Sequence, residues 1–206
     1  MKYRFLFFIL LTQFVFCQTN KRLKTGDFIF QSMDCGPLCQ AINEVTEGYH
    51  GKDFSHMGLV YIHNDSTYII EASGKAVKMT PLNVFSRYTN SPMYVGRLKR
   101  KYRKYISKAI AFSLNQIGVP YDDAYLYNNG SYYCSELIYD AFLSAYGKPF
   151  FELKPMTFKS PETNLFFPVW VEYYAQLKME IPEGKLGCNP GGISTSNKLR
   201  IIGTLN

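Results

Sequence analysis

The sequence has no internal repeat and no low-complexity tract, and both absences restrict the architecture. A repeat would indicate a solenoid or an array of small units, and a low-complexity tract would indicate a disordered segment. The 206 residues are enough for one domain with a sizeable core and are short for two. We therefore expect one compact domain.

Histidine is scarce, with only three residues in the whole chain. His50 and His63 have no metal-ligand spacing to any neighbouring residue, and the chain has no second closely spaced pair of cysteine and histidine residues. The sequence therefore gives little support for a metal site, and we expect no cofactor.

The N-terminus lacks an apolar stretch long enough for a comfortable membrane span, but it has the pattern of a secretory signal. Lys2 and Arg4 precede a wholly apolar run over residues 5–11, which residues 14–17 extend. A basic start followed by a short apolar core is typical of such signals. We therefore interpret residues 1–17 as a signal peptide.

Cleavage of this signal is expected between Cys17 and Gln18, which leaves residues 18–206 as a single catalytic domain in a secreted or periplasmic protein. The alternative is that Cys17 is lipidated and holds the protein at a membrane. Phe16 argues against this alternative, because lipoprotein processing prefers a small residue at that position.

Acidic residues are outnumbered, with 16 Asp and Glu against 23 Lys and Arg, so the formal net charge is +7. Loss of Lys2 and Arg4 lowers it by two, to +5. Much of the remaining positive charge lies in one run between Arg97 and Lys108. This run is either the solvated start of a helix or a patch that holds the protein near anionic lipid or a cell-envelope polymer. Peripheral membrane contact is one expected interaction, whereas nucleic acid is not expected as a partner of an exported chain.

Three cysteines besides Cys17 and Cys134 fit an oxidising compartment, in which disulfides form. Cys35 and Cys39 flank a Gly-Pro-Leu segment, and Cys188 lies in a loop rich in glycine and proline. We expect one disulfide between that loop and the segment with Cys35 and Cys39, which would leave one thiol free.

Hydrophobic periodicity predicts an α+β fold with antiparallel strands in the first half and helices mostly in the second. Strands are predicted near residues 28–31, 56–62, 67–71, 76–79 and 93–98. Helices are predicted from Pro37 and over residues 102–117, 134–146 and 169–177, and the segment from 182 to 196 is expected to be irregular.

Cys134 is the most informative residue, because it stands where the helical pattern of residues 134–146 begins. His56 and Glu71 lie upstream in two strands predicted to form a hairpin. A helix N-terminus and a nearby imidazolium both favour the thiolate, which is the nucleophilic form of cysteine. Each residue alone has an ordinary structural explanation, but the three together are the parts of an activated-cysteine hydrolase.

The predicted strands also suggest how these residues are arranged. His56 and Gly58 share one face of a strand, so Gly58 would leave room for a substrate beside the imidazole. Glu71 on the partner strand would orient the imidazole. The backbone N–H of Cys134 is a natural donor to the oxyanion of an acyl-transfer intermediate.

The sequence resembles a known family through several short motifs taken in order. The segments 118–121 and 133–137 resemble the nucleophile region of NlpC/P60 cell-wall peptidases, in which the cysteine precedes the histidine. Here the order is His, Glu, Cys, which resembles the circularly permuted papain-like group typified by YiiX and YaeF. Further matching segments are 26–28, 55–60, 70–72 and 189–191.

This resemblance implies a circularly permuted papain-like fold, with an antiparallel sheet or small barrel packed against helices. It implies that Cys134 is the nucleophile, His56 the general base and Glu71 the orienting group, and that Tyr121 lies near the cleft. Tyr133, beside the nucleophile, is expected to contact substrate with Tyr121 and Gly58.

We therefore expect an exported cysteine amidase or peptidase that forms an acyl-enzyme, with cell-wall peptides as the first substrate class. Lipid or N-acyl amide chemistry, by hydrolysis or acyl transfer, is the second. A third alternative is an inactive envelope-binding module, which predicts a buried Cys134 far from His56. No feature of the sequence specifies an oligomeric state.

Overall fold

A six-stranded antiparallel sheet forms the centre of the molecule. In this computed structural model, which describes residues 22–205, the strand order is β4-β3-β2-β1-β5-β8. The strands are β1 (Phe28–Gln31), β2 (His56–His63), β3 (Ser66–Ser73), β4 (Ala76–Pro81), β5 (Met93–Leu98) and β8 (Leu199–Leu205). Two short strands, β6 (Lys154–Pro155) and β7 (Leu186–Gly187), pair separately.

Six α-helices within residues 22–205 accompany the sheet. They are α1 (Pro37–Glu44), α2 (Leu82–Phe85), α3 (Ile106–Asn115), α4 (Cys134–Tyr146), α5 (Pro168–Leu177) and α6 (Pro190–Ser194). Helix α4 packs against α3 and against β2 and β3. It ends at Gly147, whose φ of 81° is the left-handed conformation that favours glycine after a helix. The predicted α+β class is confirmed.

The sheet has apolar side chains on both faces, as the alternation of strand residues predicts. One face, with Phe28, Phe30 and Leu59, joins the apolar side of α4 in the main core. The other face buries Ile29 and Val60 in a second, smaller cluster. The main core contains residues of both β2 and α4 and so fixes these two elements relative to each other.

One predicted element boundary is wrong, and one strand is not predicted at all. The helix expected over residues 102–117 begins as a 3₁₀ helix (Arg100–Tyr105) and becomes α-helical only at Ile106. The second half of the chain also contains β8, which pairs with β5 and so completes the sheet with a C-terminal strand. Its pairing partner is about 100 residues earlier in the chain, so local periodicity gave no indication of it.

The predicted disulfide pairing is also wrong. Cys35 is bonded to Cys39, and Cys188 is a free, buried cysteine. Gly36 has a positive φ of 64° and Pro37 begins α1, so the chain turns back within one helical turn. The two α-carbons are therefore 5.2 Å apart, within the range that a disulfide spans. The proposed signal peptide lies outside the described residues.

Candidate active site

Cys134 is the first residue of α4, and its side chain is 6 % exposed. Tyr133 precedes it in an extended conformation, with φ −88° and ψ 168°, and no side chain caps the helix. The N–H groups of the first helical turn have no partner within an α-helix and carry partial positive charge. The thiol therefore lies where the backbone favours a negative charge.

His56 and Glu71 form a buried pair on β2 and β3. The Nε2 atom of His56 lies 2.5 Å from Oε2 of Glu71. Two hydroxyl groups donate to the other carboxylate oxygen, Oε1: Thr80 at 2.6 Å and Tyr88 at 3.2 Å. Because both oxygens have partners, the carboxylate is held in one orientation and in turn fixes the imidazole ring.

The partners of this pair control its charge. Burial alone would lower the pKa of His56, but its interactions with Cys134 and with Glu71 raise it to about 9. Burial alone would raise the pKa of Glu71, but His56 and the Thr80 hydroxyl lower it below its ordinary value. At neutral pH, the pair is therefore an imidazolium and a carboxylate.

The interaction between His56 and Cys134 brings the cysteine into the same group. With Nε2 of the imidazole committed to Glu71, Nδ1 is the ring nitrogen left for the thiol. The three side chains can thus form the sequence carboxylate, imidazolium and thiolate that activates a cysteine nucleophile. The inactive-module alternative predicted a cysteine far from His56, and the structure does not have that separation.

An apolar cavity with a volume of about 130 Å³ opens beside Cys134. Tyr121 and Tyr133 both line it, as their predicted position near the cleft requires. The remaining lining side chains are largely apolar or aromatic and include Ile42, Val45, Tyr125, Met156, Phe158 and Trp170. The nucleophile thus faces a space suited to an apolar group.

Gly58 is buried between strands and is not among the residues that line this cavity. A Cβ atom at Gly58 would come within 2.2 Å of Cγ2 of Ile69 on β3. Gly58 therefore has a packing role between β2 and β3. The open space beside the nucleophile is lined by Tyr121 and Tyr133 and not by Gly58.

Cys188 forms part of the cavity wall, a position that its sequence pattern did not indicate. Ser135 donates from Oγ to the Cys188 carbonyl at 3.0 Å, and the Cys188 N–H donates to the Tyr133 hydroxyl at 3.1 Å. These bonds fasten the loop before α6 to the start of α4. Burial raises the pKa of the Cys188 thiol far above its ordinary value, so Cys188 stays protonated.

Thr80 and Tyr88 are polar neighbours of Glu71 that the sequence pattern does not indicate. Thr80 pairs with Ile69, two residues from Glu71 on the same face of β3, so its hydroxyl reaches the carboxylate diagonally. The register of β3 and β4 would have revealed Thr80 if the predicted strand had extended past Met79. Tyr88 reaches Glu71 from the short 3₁₀ helix Ser86–Tyr88 after α2, and no local sequence signal predicts that contact.

Neither a membrane-spanning helix nor a group of metal ligands is found among the described residues. Within residues 22–205, no helix is both long enough and apolar enough to cross a membrane. The same residues contain no group of three or more His, Cys, Asp and Glu side chains arranged to hold a metal ion.

A buried cysteine, histidine and glutamate at the junction of a helix and an antiparallel sheet define the class of papain-like cysteine hydrolases. Comparison with known proteins gives the particular family. Residues 22–203 match the family described as permuted papain-like amidase enzymes, YaeF/YiiX, C92 family. The chain belongs to this family and is a cysteine hydrolase of the amidase type.

Two individual proteins agree with this assignment. The chain is 29 % identical over 149 residues to the uncharacterised protein YiiX of Escherichia coli K12, a match that covers 68 % of this chain and 69 % of that protein. The crystal structure of the metalloprotein yiiX from Escherichia coli O157:H7 superposes with a TM-score of 0.71 at 24 % identity. That superposition covers 88 % of this chain and 97 % of the other and shows the shared fold.

Proposed function

We propose that this protein hydrolyses an amide bond through a triad in which Cys134 is the nucleophile, His56 the general acid and base, and Glu71 the orienting group. The observation that supports this most strongly is the 2.5 Å contact between His56 and Glu71, together with the raised pKa of His56 beside Cys134. An imidazolium next to a thiol at a helix N-terminus is the arrangement that generates a thiolate.

The steps follow from this geometry. The Cys134 thiolate attacks the carbonyl carbon of the amide, and the backbone N–H of Cys134 donates to the oxyanion that forms. The C–N bond then breaks as His56 gives its proton to the leaving amine. Neutral His56 next takes a proton from water, whose oxygen attacks the thioester, and the acid product leaves with the thiol restored.

Cell-wall peptides are the first substrate class that we propose, because the chain begins with the pattern of an exported protein. On this proposal, residues 1–17 are removed and the enzyme acts in the cell envelope. Mass spectrometry of the protein purified from its native host should find an N-terminus at Gln18. A diacylglycerol adduct on Cys17 would instead establish a lipid anchor.

Amides of a fatty acyl chain are the second class, and the cavity favours them. Its aromatic and aliphatic walls beside Cys134 suit an acyl chain better than the polar stem of a cell-wall peptide. A cavity of about 130 Å³ is close in size to an engineered protein cavity that holds benzene, so it accommodates a segment of such a chain.

One substrate panel tests the reaction and separates the two classes. It contains cell-wall stem peptides, N-acetyl amino acids and the same amino acids with octanoyl or longer chains. Turnover of any member by wild type, but not by Cys134→Ala, supports amide hydrolysis, and turnover that survives in Cys134→Ala would refute the proposed nucleophile.

The cavity can then be narrowed with Ile42→Phe, whereas Leu177→Phe on the exposed side of α5 is the matched control. If acyl chains occupy the cavity, Ile42→Phe lowers kcat/KM for octanoyl substrates at least about tenfold and leaves acetyl substrates unchanged. Equal effects on both chain lengths would remove the support for acyl amides.

A further inference from the structure

Four aromatic rings form a cluster on the side of the molecule that carries the 3₁₀ helix before α3. Phe150 is fully buried at its centre, and the half-buried rings of Tyr102, Tyr105 and Tyr146 surround it. The ring centroids of Tyr102 and Tyr146 each lie 5.3 Å from that of Phe150, and those of Tyr105 and Tyr146 are 4.9 Å apart.

Four lysine side chains lie over these same rings. The Nζ atoms are 4.9 to 5.5 Å from the ring centroids, in the pairs Lys101 with Tyr102, Lys104 with Tyr105, Lys148 with Tyr146, and Lys198 with Phe150. Such cation–π contacts hold the ammonium groups together on one surface. We call these eight residues the lysine–aromatic surface.

None of the four lysines of this surface forms an ion pair among residues 22–205, although Glu152 lines the same depression as Lys198. Among residues 22–205, Lys and Arg form ion pairs only between Arg97 and Asp27 and between Lys154 and Glu152. The sequence contains no Asp or Glu from residue 72 to residue 121. Because like charges concentrated on one face repel each other, the arrangement indicates an external anionic partner.

The surface also adjoins the candidate active site. Lys198 lines a depression that includes Phe151, Cys188 and Asn189. Cys188 and Asn189 are also part of the wall of the cavity beside Cys134. A large partner bound to the lysine–aromatic surface would therefore lie next to the entrance of the cavity.

We propose that the lysine–aromatic surface docks the protein on a bilayer of anionic phospholipid. Tyrosine rings are amphipathic and suit the membrane interface, and lysine stems lie along apolar surface while their ammonium groups reach phosphate. A soluble anionic polymer would use the lysines but would gain little from the aromatic rings. This inference concerns where the enzyme acts and holds for any amide substrate.

Vesicle co-sedimentation at low salt tests the proposal, with phosphatidylglycerol mixed into phosphatidylcholine and with phosphatidylcholine alone. The test variant carries Lys→Gln at positions 101, 104, 148 and 198. The matched control loses the same charge from other faces, with Lys→Gln at 52, 159, 178 and 185. The test variant should bind anionic vesicles at least about 100-fold more weakly than wild type, and the control less than about fivefold.

Three results would overturn this proposal. Wild type could ignore anionic vesicles, the two variants could lose binding equally, or soluble polyphosphate could bind wild type as tightly as vesicles do. Thermal unfolding of both variants shows whether the fold is intact. Turnover of a soluble substrate should be unchanged in both, so this test is separate from that of the proposed hydrolysis.

A second observation concerns Gln31, which is fully buried at the end of β1 directly opposite His56 in the register of β1 and β2. Neither polar atom of its side chain has a hydrogen-bond partner within residues 22–205. Buried amides are almost always paired, and an unpaired one destabilises the fold. Opposed residues on neighbouring strands point to the same face, so the amide lies on the imidazole side of the sheet.

From this geometry we infer that Gln31 is a positioning residue for His56: its unpaired amide is available to Nδ1 of the imidazole once acylation of Cys134 removes the thiolate partner of that nitrogen. Gln31→Met keeps the shape and removes the unpaired polar atoms, and Ile29→Leu on the same face of β1 is its control. The variant should unfold at the same or a higher temperature than wild type. It should also lose at least about tenfold in kcat, with KM unchanged, and shift the pH profile of Cys134 alkylation.

Gln31→Asn, which retains the amide, should recover part of both losses. A merely structural Gln31 would give the opposite pattern, in which Gln31→Met lowers the unfolding temperature and leaves the alkylation profile as in wild type. That outcome would refute the positioning role, and the alkylation readout needs no knowledge of the substrate.

Discussion

Two buried glutamates, Glu71 on β3 and Glu136 in the first turn of α4, differ in how their environments set their charge. Both side chains are fully buried. Glu71 has an imidazolium and two hydroxyl donors, and its pKa is lowered. Burial raises the pKa of Glu136 to about 8: the N–H of Asn128 donates to Oε1 at 2.8 Å, but Oε2 has no hydrogen-bond partner within residues 22–205.

Because both glutamates are equally buried, the hydrogen-bond and ionic partners of each carboxyl group, and not its burial, decide which one carries a negative charge. Asp122 and Asp140 lie near Glu136 and raise its pKa further. A neutral Glu136 at neutral pH does not repel a thiolate at Cys134, two residues earlier on the same helix. Glu136 also holds the backbone of the loop before α4, because its Oε1 accepts a hydrogen bond from the N–H of Asn128.

The largest expected effect on activity comes from replacing Cys134, whose thiol interacts with the charged pair of His56 and Glu71. Cys134→Ser should lower kcat by at least about 10⁴-fold, because a serine hydroxyl is too weakly acidic to give its proton to the imidazole as the thiol does. The pKa of His56, measured by NMR, should fall from about 9, since contact with Cys134 raises it. A His56 pKa unchanged in Cys134→Ser would contradict their coupling.

Exchange of the charged glutamate should have the next largest effect. Glu71→Gln removes the anion beside His56 and should lower kcat/KM about 100-fold and the pKa of His56 with it. Because the pKa of Glu71 is lower in the folded protein than its ordinary value of 4.5, the ionised carboxylate stabilises the fold above pH 4.5. This stabilisation is lost as the pH falls through the pKa of Glu71 in the folded protein. Glu71→Gln should therefore lower the unfolding temperature at pH 7, and an equal loss at pH 3 would contradict this account.

The neutral glutamate should respond in the opposite direction. Because the pKa of Glu136 is about 8 in the folded state and 4.5 unfolded, stability falls as pH rises from 4.5 to 8. Glu136→Gln should thus raise the unfolding temperature at pH 8.5 and change it little at pH 5, with activity within about threefold of wild type. Destabilisation at both pH values would show that Glu136 is an anion in the fold.

The smallest effects should come from the two hydroxyl donors to Glu71. Thr80→Val removes the 2.6 Å bond and should cost about 1–2 kcal/mol of unfolding free energy, measured in urea. Tyr88→Phe removes the longer 3.2 Å bond and should cost about half as much. The reverse order would show that the bond lengths do not reflect the strengths of these contacts.

The sequence predicted most of the sheet and the start of α4, because both depend on local patterns. Alternating apolar residues defined β2 and β3, and the helical pattern from Cys134 defined α4. The order of histidine, glutamate and cysteine then indicated the permuted family, to which the chain belongs.

The features that the sequence did not predict depend on contacts between distant segments. The pairing of β8 with β5, the burial of Gly58 against Ile69 and the hydrogen bond from Tyr88 to Glu71 all require the folded sheet. The Cys35–Cys39 disulfide is local, but it depends on a positive φ at Gly36, which composition alone does not specify.

The rate of Cys134 alkylation by iodoacetamide from pH 5 to pH 10 tests the central claim, that His56 and Glu71 maintain an imidazolium beside the cysteine. His56→Ala and Glu71→Gln are measured alongside wild type. The account predicts rapid alkylation of Cys134 already at pH 6 and a second inflection near pH 9, where His56 loses its proton. Both features should be absent in His56→Ala. A single inflection near the ordinary cysteine pKa, unchanged by loss of His56, would contradict the account.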